Sequence, residues 1–368
     1  MYSLNSLSMF LFNSFVLSMK LRGFLVSLCS CVFLGVWGLS CSDLGAHDDH
    51  VDANVNYAAA YVVNGYSNTL SVIRLSDFVE SAVISLHGAQ YPHHIAYDSV
   101  HNRLAVAITG MDLSGGHEHG EVMIPGLKIM ILDATSGRIE KEIACERMPH
   151  NAVFMRSGSE LWFGQADSAR SEVLVYSTSD WTLLHSIPVG AGLSEVSVAA
   201  NNTYVFAANT DDATISVINP TSYSVSTTIP VGLTPVGAWP AANGRIYVDN
   251  ERGKSISEIN VDSLRVVSTI ACGFTPAYAV YVPSGELWVS DADAGRIVYY
   301  RPVNNEWSQA GSIATGANAH AIALNKDASL AFITNQGAGT VSVINTASHT
   351  VTATVRVGSL PNGIVICD

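Results

Sequence analysis

The sequence predicts an all-β chain: seven four-stranded antiparallel sheets closed into a ring. Three observations carry that prediction. Short runs rich in β-branched and aromatic residues are each closed by Gly, Pro, Asn or Asp, the pattern of strands bounded by turns. The runs recur in groups of four, with a repeat of about 40–45 residues. The array begins on a second strand and ends on a first strand, so one sheet must be completed from both sides.

The unit is clearest from Thr234 to Gly273. Val236–Pro240 is expected as the innermost strand and Arg245–Val248 as the second. Ser255–Val261 and Arg265–Ala271 are expected as the third and fourth. The phrase returns as TPAYAV, GELWVSD, RIVYYRP and GSIATG, and again as NAHAIAL, SLAFITN, TVSVINT and TVTATVRVG. Inner strands are expected to open at Pro92, Pro149, Ser194, Pro235, Pro276, Ala319 and Pro361. Second strands are expected to end at Asn64, Thr109, Gln165, Asn209, Asn250, Asp291 and Asn335. Both sets number seven. Four strands per repeat is the pattern of a β-propeller blade, and pairing AAYVVN (59–64) with PNGIVICD (361–368) would close the ring and remove its edges.

The repeated phrase has the form V-G-x-x-P-x-G, then Y-V-x-N, then I-S-V-I-N. It stands here as VGLTPVG (231–237), VGSLPNG (357–363), YVVN (61–64), YVDN (247–250) and ISVIN (215–219). It resembles the YVTN-repeat family of bacterial seven-bladed propellers over about 53–368, with departures such as WVSD at 288–291. The resemblance implies the fold and says little about chemistry. That family includes binding proteins and structural surface proteins, and related propellers scaffold unrelated enzymes.

Residues 1–40 read as a secretory signal, with its basic region opening at Met19-Lys20-Leu21-Arg22 and an apolar run from Gly23 to Leu39. The run is short and ends in small residues, unlike a membrane span. GLSC resembles a lipobox, although its Leu sits one place closer to the cysteine than the usual pattern. Acylation at Cys41 would tether the protein to a membrane of the cell envelope without a span. Residues 41–54, SDLGAHDDHVDAN after that cysteine, read as a flexible acidic tether, and 55–368 as the propeller.

The chain carries 31 acidic against 18 basic side chains, a formal net charge of −13. No basic run exists, which argues against nucleic acid and anionic lipid headgroups as partners. Cys145 and Cys272 close equivalent outer strands three blades apart, too far for a disulfide, and read as small core residues. A monomer is expected.

Chemistry in such a ring belongs at the mouth of the central channel. Aligning the inner-strand openings gives His93, His150, Glu195, Val236, Ala277, His320 and Asn362. Three imidazoles and a carboxylate on one arc would suit Zn²⁺ or a copper ion. The loop GMDLSGGHEHGEVMIPG (110–126) could add His117 or His119 from above. Histidines after proline can also bond a neighbouring carbonyl; His94, His101, His185 and His349 read as such isolated cases. If the adjacent register faces the channel, the ring becomes His94, Asn151, Val196, Gly237, Tyr278, Ala321 and Gly363, which would hold no metal.

The sequence therefore points to an envelope-tethered binding protein with a small ligand or a protein partner at the channel mouth. A lactonase-like hydrolase using the same groups is the alternative. PHHIA (92–96) weakly resembles the first inner strand of such enzymes, but no matching glutamate-and-arginine pair is evident. A cluster enzyme of the nitrous oxide reductase kind would need more histidines. A purely structural surface role completes the set.

Overall fold

The computed structural model describes residues 53–113, 125–167 and 169–368. Those residues form seven sheets, each of four antiparallel strands, and no helix. Blade one takes its inner strand, Pro361–Cys367, from the end of the chain and its other three from Ala59–Asn64, Thr69–Arg74 and Val79–Ser85. The remaining inner strands are Pro92–Asp98, Met148–Phe154, Leu193–Val198, Pro235–Ala241, Pro276–Val282 and Ala319–Leu324. Ring closure is thus a strand pairing: Ala59 faces Cys367, and Val62 faces Ile364.

The core is a set of seams between blades. Each apolar cluster joins two neighbours: Tyr61 and Leu70 of blade one pack with Leu104 and Met130 of blade two. Phe206 of blade four packs with Ile246 of blade five. This is how the chain exceeds the size one core supports, since each blade needs only its neighbours.

The recurring phrase is a hydrogen-bond device. Asn64, at the end of a second strand, donates to Ser71 Oγ at 2.8 Å and Thr69 Oγ1 at 3.0 Å. Asn209 repeats this with Ser216 and Thr214, Asn250 with Ser257 and Ser255, and Asn335 with Ser342 and Thr340. The glycine of V-G packs against the same amide. A Cβ at Gly358 would lie 2.6 Å from Asn64, and one at Gly232 would lie 2.6 Å from Asn250. The glycine is required by that close approach.

Two alignment points differ from the sequence expectation. The inner strand of blade four begins at Leu193, which takes the place that proline holds in five other blades and Ala319 in blade seven, so Ser194 lies one residue inside it. Blade two's second strand ends at Ile108, paired with Pro92, rather than at Thr109. Both slips come from anchoring on residue type, where the backbone ladder counts positions. The strands of blade five otherwise run to Ala241, Asn250 and Asn260, within two residues of expectation.

Candidate functional site

Every inner strand carries a β-bulge at its start. In blade two, Pro92 pairs with Ile108 and Ile95 with Val106, so His93 and His94 together oppose Ala107. The other bulged pairs are His150-Asn151, Ser194-Glu195, Val236-Gly237, Ala277-Tyr278, His320-Ala321 and Asn362-Gly363. A bulge re-aims side chains and breaks strict alternation. The two registers left open by the sequence are therefore not exclusive.

The bulges gather four histidines and a carboxylate at one end of the channel. The His93 ring lies 4.4 Å from that of His94, 4.6 Å from His150 and 6.1 Å from His320, centroid to centroid. His94 lies 5.0 Å from His150. Glu195 Oε1 stands 2.8 Å from His94 Nε2 and 3.6 Å from His150 Nδ1. One nitrogen each of His93, His94 and His150 fall within 4.8 Å of one another. Nitrogens sharing one tetrahedral zinc, each at about 2.0–2.1 Å from it, stand about 3.4 Å apart. The rings would have to close by up to about 1.4 Å, a movement for side-chain rotation to supply.

Two expectations need correction. Glu195 does not share the register of His93 and His150; it occupies that of His94, and Ser194 stands in the other. It still meets the histidines, because both tiers turn inward. His94, read as an isolated case, belongs to the cluster. His320 adjoins it at 6.2 Å from His94 without joining the three-nitrogen group. His117 and His119 lie outside the described residues. The other three isolated histidines are placed elsewhere: His101 bonds Asp98 at 2.7 Å, His349 bonds Glu286 at 2.9 Å and His185 stacks on Tyr223. The signal for His94 was the doublet itself, His-His at a bulge.

Most of the site is buried, while His94 is part-buried with its side chain 11% exposed. His93, His150 and Glu195 are each 2% exposed and His320 is 9% exposed. Asn151 braces the floor, donating to Val196 O at 2.8 Å and accepting from Val196 N at 2.9 Å across to blade four. From this end a cavity of about 310 Å³ runs along the inner strands to Arg156 and Asn202. On one side it is lined by Trp239 and Tyr278, stacked with centroids 3.6 Å apart.

Sequence reasoning missed the support behind that wall. Asp249 faces the bulge Val236-Gly237, where every other blade places an uncharged residue. Its Oδ1 accepts from Trp239 Nε1 at 2.6 Å and from Gly237 N at 3.1 Å. Asp249 is fully buried. Burial holds its carboxyl well above the usual carboxylate range, nearby Glu251 and Glu195 add to this, and the Trp239 bond opposes it. A Cβ on residue 237 would lie 2.2 Å from the Trp239 ring and 2.5 Å from Asp249, so glycine opens the space for both. Among the described residues the three cysteines are free, and burial pushes Cys145 and Cys367 up to about 12 and Cys272 to about 11, far from thiolate reactivity.

The fold and this cluster define a seven-bladed β-propeller with a polar site at one end of its channel. No protein-family model and no curated protein matches the chain. Solved structures share the fold at low identity. A functionally unknown protein from Desulfotomaculum acetoxidans superposes with a TM-score of 0.68 at 13% identity, covering 84% of this chain and 98% of its own. The periplasmic gluconolactonase of Pseudomonas aeruginosa gives 0.65 at 15% identity, over 84% and 99%. A candidate 6-phosphogluconolactonase of Bacteroides uniformis gives 0.67 at 13%, over 84% and 99%. Likeness at this identity concerns the fold alone, since one propeller scaffold serves many chemistries.

Proposed function

We propose that this is an exported binding protein that holds one transition-metal cation, Zn²⁺ or a copper ion, at His93, His94, His150 and Glu195. The observation that carries the reading is three imidazoles and a carboxylate converging in a site where two of the rings and the carboxylate are 2% exposed. A carboxylate so buried needs a cationic or strongly hydrogen-bonding neighbour. Neutral imidazoles with one carboxylate are a ligand set for borderline cations. His320, and His117 or His119 from the loop, remain further candidate donors.

Elemental analysis of protein purified without chelator or histidine tag should find about one ion per chain. His93→Ala/His150→Ala should abolish binding, whereas His185→Ala should not change it. Affinity should fall on acidification through the histidine range, because protonated imidazole cannot coordinate. A metal-free wild type that also fails to take up Zn²⁺ or Cu²⁺ would overturn the reading.

The His94–Glu195 contact also favours a second reading. A carboxylate 2.8 Å from an imidazole nitrogen orients that ring as a general base, the arrangement a lactone hydrolase needs. Turnover of a lactone panel lost in His94→Gln would support it. Tethering through Cys41, outside the described residues, is proposed with either function. Cys41→Ala should then move the protein from the membrane fraction to the soluble one.

A further inference from the structure

The cavity beneath the histidines is a built chamber with aromatic residues on two sides. Trp239 and Tyr278 come from blades five and six, and Tyr97 and Phe154 from blades two and three. The pair on the first side is held rigidly. Trp239 donates to buried Asp249, Gly237 leaves the room, and the Tyr278 ring stacks at an interplanar angle of 27°. No other bulge pairs a glycine in the second position with a charged residue on the opposing strand. Blade five therefore gives up a ring side chain and receives an aromatic one in its place.

Size and charge narrow the occupant. An apolar cavity of about 150 Å³ accepts benzene. The 310 Å³ here gives room for one ring with substituents, and too little for a dinucleotide or a peptide. The ionisable groups lie at the two ends, His94 and Glu195 at the histidine end and Arg156 beside Asn202 at the other, while Asn151 and the hydroxyl of Ser197 also line the wall. Arg156 is exposed and, among the described residues, is the one lining residue with a fixed positive charge, on a chain whose formal net charge is −13. Since His93 and His150 are buried at their end, the Arg156 end is the route of entry, and a cation there favours an approaching anion.

We infer that the chamber binds a small single-ring aromatic compound bearing an anionic oxygen donor, its ring against Trp239–Tyr278 and its oxygens toward His94 and Glu195. The ring gains edge or face contact with fixed aromatics, which lose little entropy on binding. The placement of the donor rests on the metal reading above, because a cation at the histidines would take a phenolate or carboxylate as its open ligand. Asp249 is a positioning residue that acts through Trp239.

The probe is 4-nitrocatechol, a chelating ring with a visible absorbance, and 4-nitroanisole is its non-chelating analogue. Titrated into metal-loaded protein, 4-nitrocatechol should bind once per chain, shift its absorbance and quench tryptophan fluorescence; 4-nitroanisole should bind far more weakly. Trp239→Ala should weaken binding by about tenfold or more while metal content is unchanged. Ala96→Phe, which fills the chamber from blade two, should do the same and serves if Trp239→Ala fails to fold. Wild-type affinity in the folded variants, no saturable binding by the wild type, or equal binding of 4-nitroanisole would overturn the inference. If the protein holds no metal yet binds 4-nitrocatechol in a manner sensitive to both substitutions, the chamber stands and the metal reading falls.

Discussion

Asp249 shows at the scale of one residue how the channel is built against electrostatic cost. Its carboxyl is fully buried, and Glu195 and Glu251 both disfavour its charge. The folded chain therefore keeps this proton at pH values where the unfolded chain has lost it. Native protein binds more protons than unfolded, so its stability falls as pH rises above about 4, the ordinary aspartate value, until the raised value is passed. Asp249→Asn reproduces the neutral carboxyl and keeps an acceptor for Trp239. Thermal midpoints of the variant should exceed wild type at neutral pH and converge with it below about pH 4. Parallel midpoints across that range would show that Asp249 is ionised in the fold.

At the scale of the element, the turns between third and outer strands hold large side chains where glycine is usual. Phe78, Trp181, Tyr223, Leu264 and His349 all have φ between 51° and 58°. A bulky residue in the left-handed region costs about 1–2 kcal/mol. Contacts across a blade seam offset it. Tyr223 stacks on His185 and Trp162 of blade three and donates to Glu160 at 2.6 Å. His349 stacks on Tyr299 and meets Glu286 of blade six, while Phe78 packs on Phe332 of blade seven. These turns are staples between blades. At ordinary strand sites glycine destabilises more than alanine. At position 223 the order should reverse: Tyr223→Ala loses the staple and keeps the strain, whereas Tyr223→Gly loses only the staple. Denaturant midpoints should place Gly above Ala by roughly 1 kcal/mol. Glu286, in the matching staple, is pushed up by burial but more strongly down by bonds from Trp288, His349 and Arg301. The stability it contributes is present above the usual glutamate value and lost as pH falls through its lowered one.

Across the whole molecule, stability depends on closure. The strand Pro361–Cys367 pairs with Ala59–Asn64, and Asn362 donates to Pro92 O at 3.5 Å in the next blade. Thr334 Oγ1 of blade seven reaches Asn362 O at 2.9 Å from the other side. Removing 361–368 would open two seams and expose sheet edges. The truncated protein should aggregate or unfold without a single cooperative transition, as read by light scattering and calorimetry. Full stability after truncation would mean the ring does not depend on its closing strand.

The repeat was legible because each blade solves the same local problem with the same residues. Asn at the end of a second strand, Ser two places into the next and Gly opposite the amide recur through the chain, so seven blades and their closure follow from counting. The arc His93, His150 and His320 was legible for the same reason, since equivalent positions share a direction. The inward turn of His94, the register of Glu195 and the Asp249–Trp239–Gly237 support were not. Alternation along a strand predicts one face per residue, and a bulge breaks that rule without a residue signature of its own. Leu193 stands where proline marks five of the other six openings, so the count slipped by one there. Which side chains meet across the channel is decided by residues from different blades, tens of positions apart. Sequence alone determined the ring and where each inner strand opens; the tertiary structure decided which side chains turn to the axis and which of them touch, because that depends on bulge geometry and on the closing of the ring.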